Sequence, residues 1–291
     1  MSLYGYPALY ALGVWWFATG LIIYLDCLPR HTFRWSMPAA TAVFVIALYR
    51  LWASSADTSV PGAYAAFTYG VLIWGWQEMS FFTGQLTGPR KTASPARPGG
   101  LRHFWHGIET CLYHELAIIA SAAAVVALTW GAPNQVGRWS FLLLWAMRQS
   151  AKLNVFLGVL NLSEEFLPEH LLYLRSYMAR RPMNLLFPVS VTAGTVLAVS
   201  LVDRATASGI QPFRAAGLTF LIAMLGLGIL EHWFLVLPLP LAPLWTWLLQ
   251  FRRPAEPKIH AAPPPHRGVS DPRGGIGRLA RTAGGPVVPI P

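Results

Sequence analysis

FRAAGLTFLIAMLGLGILEHWFLVL, residues 213–237, is a run of 25 residues whose only formal charges are Arg214 and Glu231, and Pro238 closes it. A helix rises about 1.5 Å per residue, so about 20 such residues cross the hydrocarbon core of a bilayer. Six further apolar runs of comparable length lie at 7–28, 37–54, 61–86, 106–130, 139–161 and 185–202. The expected fold class is therefore all-α, a polytopic transmembrane bundle of about seven spans. The second and sixth runs are the shortest, so either one is a candidate re-entrant segment.

Composition agrees. The 291 residues are 54% hydrophobic and 12% charged, about half the charged share of an average soluble domain. The net charge of +10 is gathered in connections and tail. Arg30 and Arg34 follow the first run; Arg90, Lys91, Arg97 and Arg102 follow the third; Arg175, Arg180 and Arg181 follow the fifth. The C-terminal tail adds Arg252, Arg253, Lys258, Arg267, Arg273, Arg278 and Arg281, whereas the alternate connections hold little beyond Arg138 and Arg204. Cytoplasmic loops carry the excess of Lys and Arg, which orients the N-terminus outside and the C-terminus in the cytoplasm. Six spans would strand one basic loop on the wrong side. The expected location is a membrane that faces the cytoplasm.

Met1 to Tyr6 carry no charge, so the first run reads as a retained span with Tyr4, Tyr6 and Tyr10 as interfacial anchors, not as a cleaved signal peptide. Cys27 and Cys111 both fall near the cytoplasmic ends of their spans, where thiols stay reduced and pack as small side chains. The expected domains are a bundle over 1–250 and a basic Pro/Gly-rich tail over 251–291, too poor in aliphatic residues to bury a core. The tail suits anionic membrane lipid. It lacks aromatic residues after Phe251, which argues against nucleic acid as a partner. Residues 162–178 place Glu164, Glu165, Glu169, His170 and Arg175 among leucines and read as an amphipathic interfacial helix.

Ionisable residues at membrane depth are costly and point to function. With this topology Glu78, His106, Glu109, His114, Glu115, Glu231 and His232 converge on the cytoplasmic leaflet and form a candidate ligand or pigment pocket. Arg148 and Lys152, four apart on one helix face, are their candidate charge partners, since desolvated charges need opposite charges beside them. A transition-metal centre is a second use of the layer, drawing on Glu78, His106, Glu109, Glu165, His170, Glu231 and His232 as carboxylate-bridged bundles do. The spacing departs from that pattern: His106 and Glu109 are three apart but solitary, and Glu231 and His232 are adjacent, about 100° apart on a helix. Tetrapyrrole or quinone handling is a third, with Trp74, Trp76, Phe81, Phe82, Phe104 and Trp105 as flat packing surfaces. No Walker loop, dinucleotide fingerprint or serine-hydrolase elbow occurs, and no catalytic residue is assigned.

Three segments, Trp74-Gly75-Trp76-Gln77-Glu78-Met79-Ser80-Phe81-Phe82-Thr83-Gly84, Arg102-His103-Phe104-Trp105-His106-Gly107 through Tyr113-His114-Glu115-Leu116-Ala117, and Lys152-Leu153-Asn154-Val155-Phe156 through Pro168-Glu169-His170-Leu171, resemble the photosynthetic complex assembly proteins of the PuhE type. The resemblance covers roughly residues 1–250 and excludes the tail. These are membrane proteins of purple phototrophic bacteria encoded beside the reaction-centre H subunit. The resemblance implies a role in assembling the reaction-centre and light-harvesting complex or in adjusting bacteriochlorophyll supply, with complex subunits or pigment as partners. It transfers no active-site residue. A membrane-embedded, metal-dependent oxidoreductase acting on a pigment or isoprenoid precursor is the alternative expectation.

Overall fold

A computed structural model of the chain describes residues 3–94, 100–162 and 167–238. Among these the architecture is all-helical: α1 Gly5–Cys27, α2 Phe33–Ala53, α3 Val60–Phe82, α4 Gly100–Leu128, α5 Val136–Leu157, α6 Leu186–Ala205 and α7 Pro212–Val236. Each apolar run read from the sequence is one helix. The second and sixth are continuous over 21 and 20 residues. The expected tail over 251–291 lies outside the described residues, as does Glu165.

Local chemistry sets the helix ends. Ser59 caps α3, its hydroxyl oxygen accepting from the Gly62 N–H at 3.1 Å, with Pro61 in the first turn where no amide donor is missed. Gly84 (φ +76°) and Gly158 (φ +118°) follow α3 and α5 in left-handed conformations that terminate a helix without a Cβ penalty. Pro212 opens α7.

Side-chain ties show how the ends are grouped. Asn134, in the α4–α5 turn, donates to the carbonyls of Asp57 and Gly62 at 2.9 and 3.0 Å, and Tyr4 donates to the Ala205 carbonyl at 2.9 Å. At the opposite end, the Ser94 N–H donates to Ser176 Oγ at 2.7 Å and Asn161 donates to the Phe234 carbonyl at 2.8 Å. Successive helices thus alternate in direction. The connections bearing Arg90, Lys91, Arg175, Arg180 and Arg181 share the second end.

Five helices, α1, α4, α6, α7 and the α2 segment from Arg30, are long and apolar enough to cross a membrane. The chain is therefore a multi-pass membrane protein. α3 and α5 have spanning length, 23 and 22 residues, but carry Glu78, Arg138, Arg148 and Lys152 together with several Gly, Tyr and Trp. With α7 they form the centre of the bundle. α3 packs against α1, α2, α4, α5 and α7, and α5 against α3, α4, α6 and α7. A helix shielded by its neighbours can carry polar residues that a lipid-facing one cannot. Phe67, Phe141 and Phe220 are fully buried where α3, α5 and α7 meet, with Phe67 and Phe220 stacked at a centroid distance of 4.5 Å.

The amphipathic segment expected over 162–178 takes a different form. Its described part contains a 3-10 helix at Glu169–Tyr177, preceded by Pro168 in extended conformation, with residues 163–166 outside the described set. Leu171, Leu174 and Tyr177 are buried, a spacing of three that matches the three residues per turn of a 3-10 helix. Leu171 and Leu174 pack against Phe81, at the C-terminal end of α3, and Tyr177 stacks on His103.

Candidate functional site: an interhelical charged layer

α3 and α5 touch backbone to backbone. A Cβ at Gly70 would lie 2.5 Å from the Gly137 carbonyl oxygen, and one at Gly137 would lie 2.4 Å from the Ala66 carbonyl oxygen, so glycine alone fits this crossing. Two turns further along α3, Glu78 faces α5. Its Oε2 lies 3.1 Å from Arg148 Nη2, while Arg148 Nη1 lies 3.8 Å from Glu231 Oε1 on α7. One turn on, Lys152 Nζ lies 2.7 Å from Glu115 Oε1 of α4, and Gln149 donates to the other oxygen of that carboxylate. Five charges on α3, α4, α5 and α7 thus form one layer. The pairing expected of Arg148 and Lys152 with Glu78 and Glu115 is present, and Glu231 joins it.

Aromatic rings floor the cluster. Arg148 Cζ lies 6.0 Å from the Phe82 centroid and Lys152 Nζ lies 5.6 Å from that of Phe81, whose ring packs on His114 at 4.7 Å. Cations over ring faces gain electrostatic stabilisation that grows with desolvation. Within this shell some polar atoms find no partner among the described residues: Glu78 Oε1, Arg148 Nε and His114 Nδ1.

The remaining candidates separate. Glu109 pairs with Arg90, whose Nε lies 2.6 Å from Oε2, and this hydrogen bond holds the Arg90 guanidinium above its ordinary pKa. His106 Nδ1 is buried without a partner among the described residues. His232 is fully buried next to Glu231 yet turned to another face: Nδ1 donates to the Gly228 carbonyl at 2.8 Å, and Nε2 lies 2.8 Å from Ser150 Oγ. Ser150 Oγ in turn lies 2.8 Å from Ser190 Oγ on α6. His170 Nε2 donates to the Phe82 carbonyl at 2.8 Å and sits on Gly84, where a Cβ would come within 2.6 Å of the ring. Burial, then the nearby Arg30, push this imidazole below its ordinary pKa. Among the described residues no three His, Cys, Asp or Glu side chains are grouped so as to hold a metal ion.

Several participants escape sequence reading. Gln77 is fully buried and donates to Ser121 Oγ of α4 at 2.6 Å. Asn184 donates to the carbonyls of Asn154 and Gly158 and accepts from the N–H groups of Leu186 and Phe187, which caps α6. An Asn just ahead of the run at 185–202 is a start signal that could have found it. His103 lies between the rings of Phe156 and Tyr177 at 5.4 and 5.6 Å, nearly parallel to both. The loop after α3 presses against α4, with the His114 N–H donating to the Thr87 carbonyl at 3.0 Å. A Cβ on Gly88 would lie 2.0 Å from the Glu109 carbonyl oxygen. This loop thereby ties the end of α3 to the first half of α4.

Fold and site together define a multi-pass helical membrane protein in which paired charges join α3, α4, α5 and α7. The chain belongs to the family described as protein of unknown function DUF3623, whose model matches residues 1–256. It is also 35% identical over 261 residues to a Rhodobacter capsulatus protein described as an uncharacterized 30.4 kDa protein in the puhA 5′ region, covering 88% of this chain and 95% of that protein. No solved structure matches the chain.

Proposed function

We propose that this protein is a seven-span factor of a bacterial inner membrane, N-terminus outside and C-terminus cytoplasmic, that assists assembly of the photosynthetic reaction-centre and light-harvesting complex. It does so by holding pigment, bacteriochlorophyll being the candidate, or a nascent subunit at the charged layer. The description of the Rhodobacter capsulatus relative by its place in the puhA 5′ region supports a photosynthetic setting. The single observation that carries the site is the layer itself: Glu78, Arg148, Glu231, Glu115 and Lys152 joined across four helices, with Glu78 Oε1 and Arg148 Nε still lacking partners among the described residues. A purely structural ion pair in a low-dielectric interior is stable only when its remaining hydrogen-bonding atoms are satisfied. The resembling segments cover the same residues, Glu78 and His106 through Glu115. The basic end groups Arg90, Lys91, Arg175, Arg180 and Arg181 toward anionic lipid or a complex subunit.

The test is complementation of a deletion strain with Glu78→Gln, Glu115→Gln and Glu231→Gln, reading membrane abundance beside complex yield and pigment content. Normal abundance with reduced complex yield supports the assembly role. Wild-type yield and pigment content in all three variants overturns it.

A further inference from the structure

Arg148 has three sets of donors and uses two. Nη2 faces Glu78 Oε2 at 3.1 Å and Nη1 faces Glu231 Oε1 at 3.8 Å. Its Nε is buried without a partner among the described residues, and so is Glu78 Oε1 on the same ion pair. One atom can only donate and the other, on a carboxylate, accepts. Leaving both unpaired in an apolar interior is unfavourable, the more so because both belong to charged groups. A group that serves both must donate and accept at once, and a hydroxyl does so with a single oxygen.

The charges around the pair restrict the carrier of that hydroxyl. A cation would have to sit against the Arg148 guanidinium, with Lys152 one turn away. An anion would face Glu78, Glu115 and Glu231 against only two cations. A neutral group meets neither repulsion. The surroundings are apolar on the ring side, where Phe82 lies 6.0 Å from Arg148 Cζ. They open laterally on the other side: the Arg148 side chain is 28% and the Glu231 side chain 50% exposed, and Leu230 and Trp233 beside Glu231 are exposed large apolar residues.

We propose that the Glu78–Arg148 pair binds the hydroxyl of a lipid-soluble alcohol, which donates to Glu78 Oε1 and accepts from Arg148 Nε while its apolar body lies along Phe82 and the lipid-facing side of α7. The inference rests on the reading of the charged layer as a binding site and names the chemistry of its occupant. His114, whose Nδ1 is also without a partner among the described residues and whose ring packs on Phe81, lies beyond the pair on the α4 side.

The test uses the full-length protein in lipid nanodiscs, with farnesol as probe and farnesyl methyl ether as the matched compound that has lost the O–H donor. Farnesol is expected to give a saturable rise in the unfolding temperature, and the ether a response at least tenfold weaker in midpoint. Arg148→Lys keeps the charge beside Glu78 but has no Nε–H, and should weaken farnesol binding about tenfold. No saturable response to farnesol, as expected if water serves these two atoms, overturns the proposal. So does an ether that binds as well as the alcohol, or an Arg148→Lys variant that folds and binds as the wild type does. If Arg148→Lys fails to fold, the alcohol–ether comparison on wild type decides alone. Complex yield in cells is a separate readout: a protein that supports assembly but ignores farnesol sinks this inference and leaves the assembly role standing.

Discussion

The guanidinium of Arg148 on α5 lies 3.1 Å from the carboxylate of Glu78 on α3, and this contact sits two turns along α3 from the Gly70–Gly137 crossing. The two facts are one design. The close crossing brings α3 and α5 near enough for the two side chains to meet, and each charge then has the opposite charge that a poorly solvated interior requires.

Breaking the pair from the cationic side should therefore be the most damaging single change in the layer. Arg148→Met leaves Glu78 desolvated without its cation, at a cost of about 3–5 kcal/mol. Membrane abundance and unfolding temperature should both fall. The double variant Glu78→Gln/Arg148→Met should recover much of the loss, and a double variant as unstable as the single one would show that the pair is not the cause.

Glu115 and Glu231 should differ in weight. Glu115 is held by Lys152 at 2.7 Å and by Gln149, whereas Glu231 reaches Arg148 only at 3.8 Å from a half-exposed position. Glu115→Gln should cost about 1.5–3 kcal/mol and Glu231→Gln less than about 1 kcal/mol. Thermal unfolding in a common detergent ranks them. An equal loss for both would mean that Glu231 is engaged more tightly than its distance indicates.

Gly70→Ala tests the crossing. The added methyl meets the Gly137 carbonyl oxygen, so α3 and α5 must separate, with an expected loss of about 1–3 kcal/mol. Because separation also pulls Glu78 from Arg148, a following Arg148→Met should cost less in the Gly70→Ala background than in wild type. Additive losses would place the two contacts in independent parts of the bundle.

The His170 contact sets a pH dependence. Burial keeps its imidazole neutral in the fold, with the pKa pushed below the ordinary 6.5. Protonation then favours the unfolded chain, so this contribution to stability is intact above about pH 6.5 and is lost as pH falls below it. Unfolding temperature measured from pH 7.5 down to 5.5 should drop less in His170→Asn than in wild type. Parallel curves would assign the acid sensitivity elsewhere.

Orientation has its own measurement. Alkaline phosphatase fused at Asn134 or Ser208 should be active, and at Ser94 or Arg180 inactive, because the basic connections belong in the cytoplasm. Activity at Ser94 would reverse the proposed topology.

Helix number and approximate limits were legible from the sequence, because a bilayer demands long apolar runs and Pro238 closes the last of them. The pairing of Arg148 and Lys152 with Glu78 and Glu115 was legible too, since cations at that depth have few acceptable neighbours. Which helices lie inside was not legible: α3, α5 and α7 are identified by their packing partners, which apolarity alone does not rank. The 3-10 helix at Glu169–Tyr177 was missed because a leucine-rich segment satisfies both a 3.6 and a 3.0 period, and packing on Phe81 selects between them. His232 and Glu231, adjacent in sequence, were read as members of one layer. Helical geometry turns them to different neighbours, Ser150 and Arg148, so sequence proximity could place them at one depth while only the packing of α7 against α5 and α6 could assign each a partner.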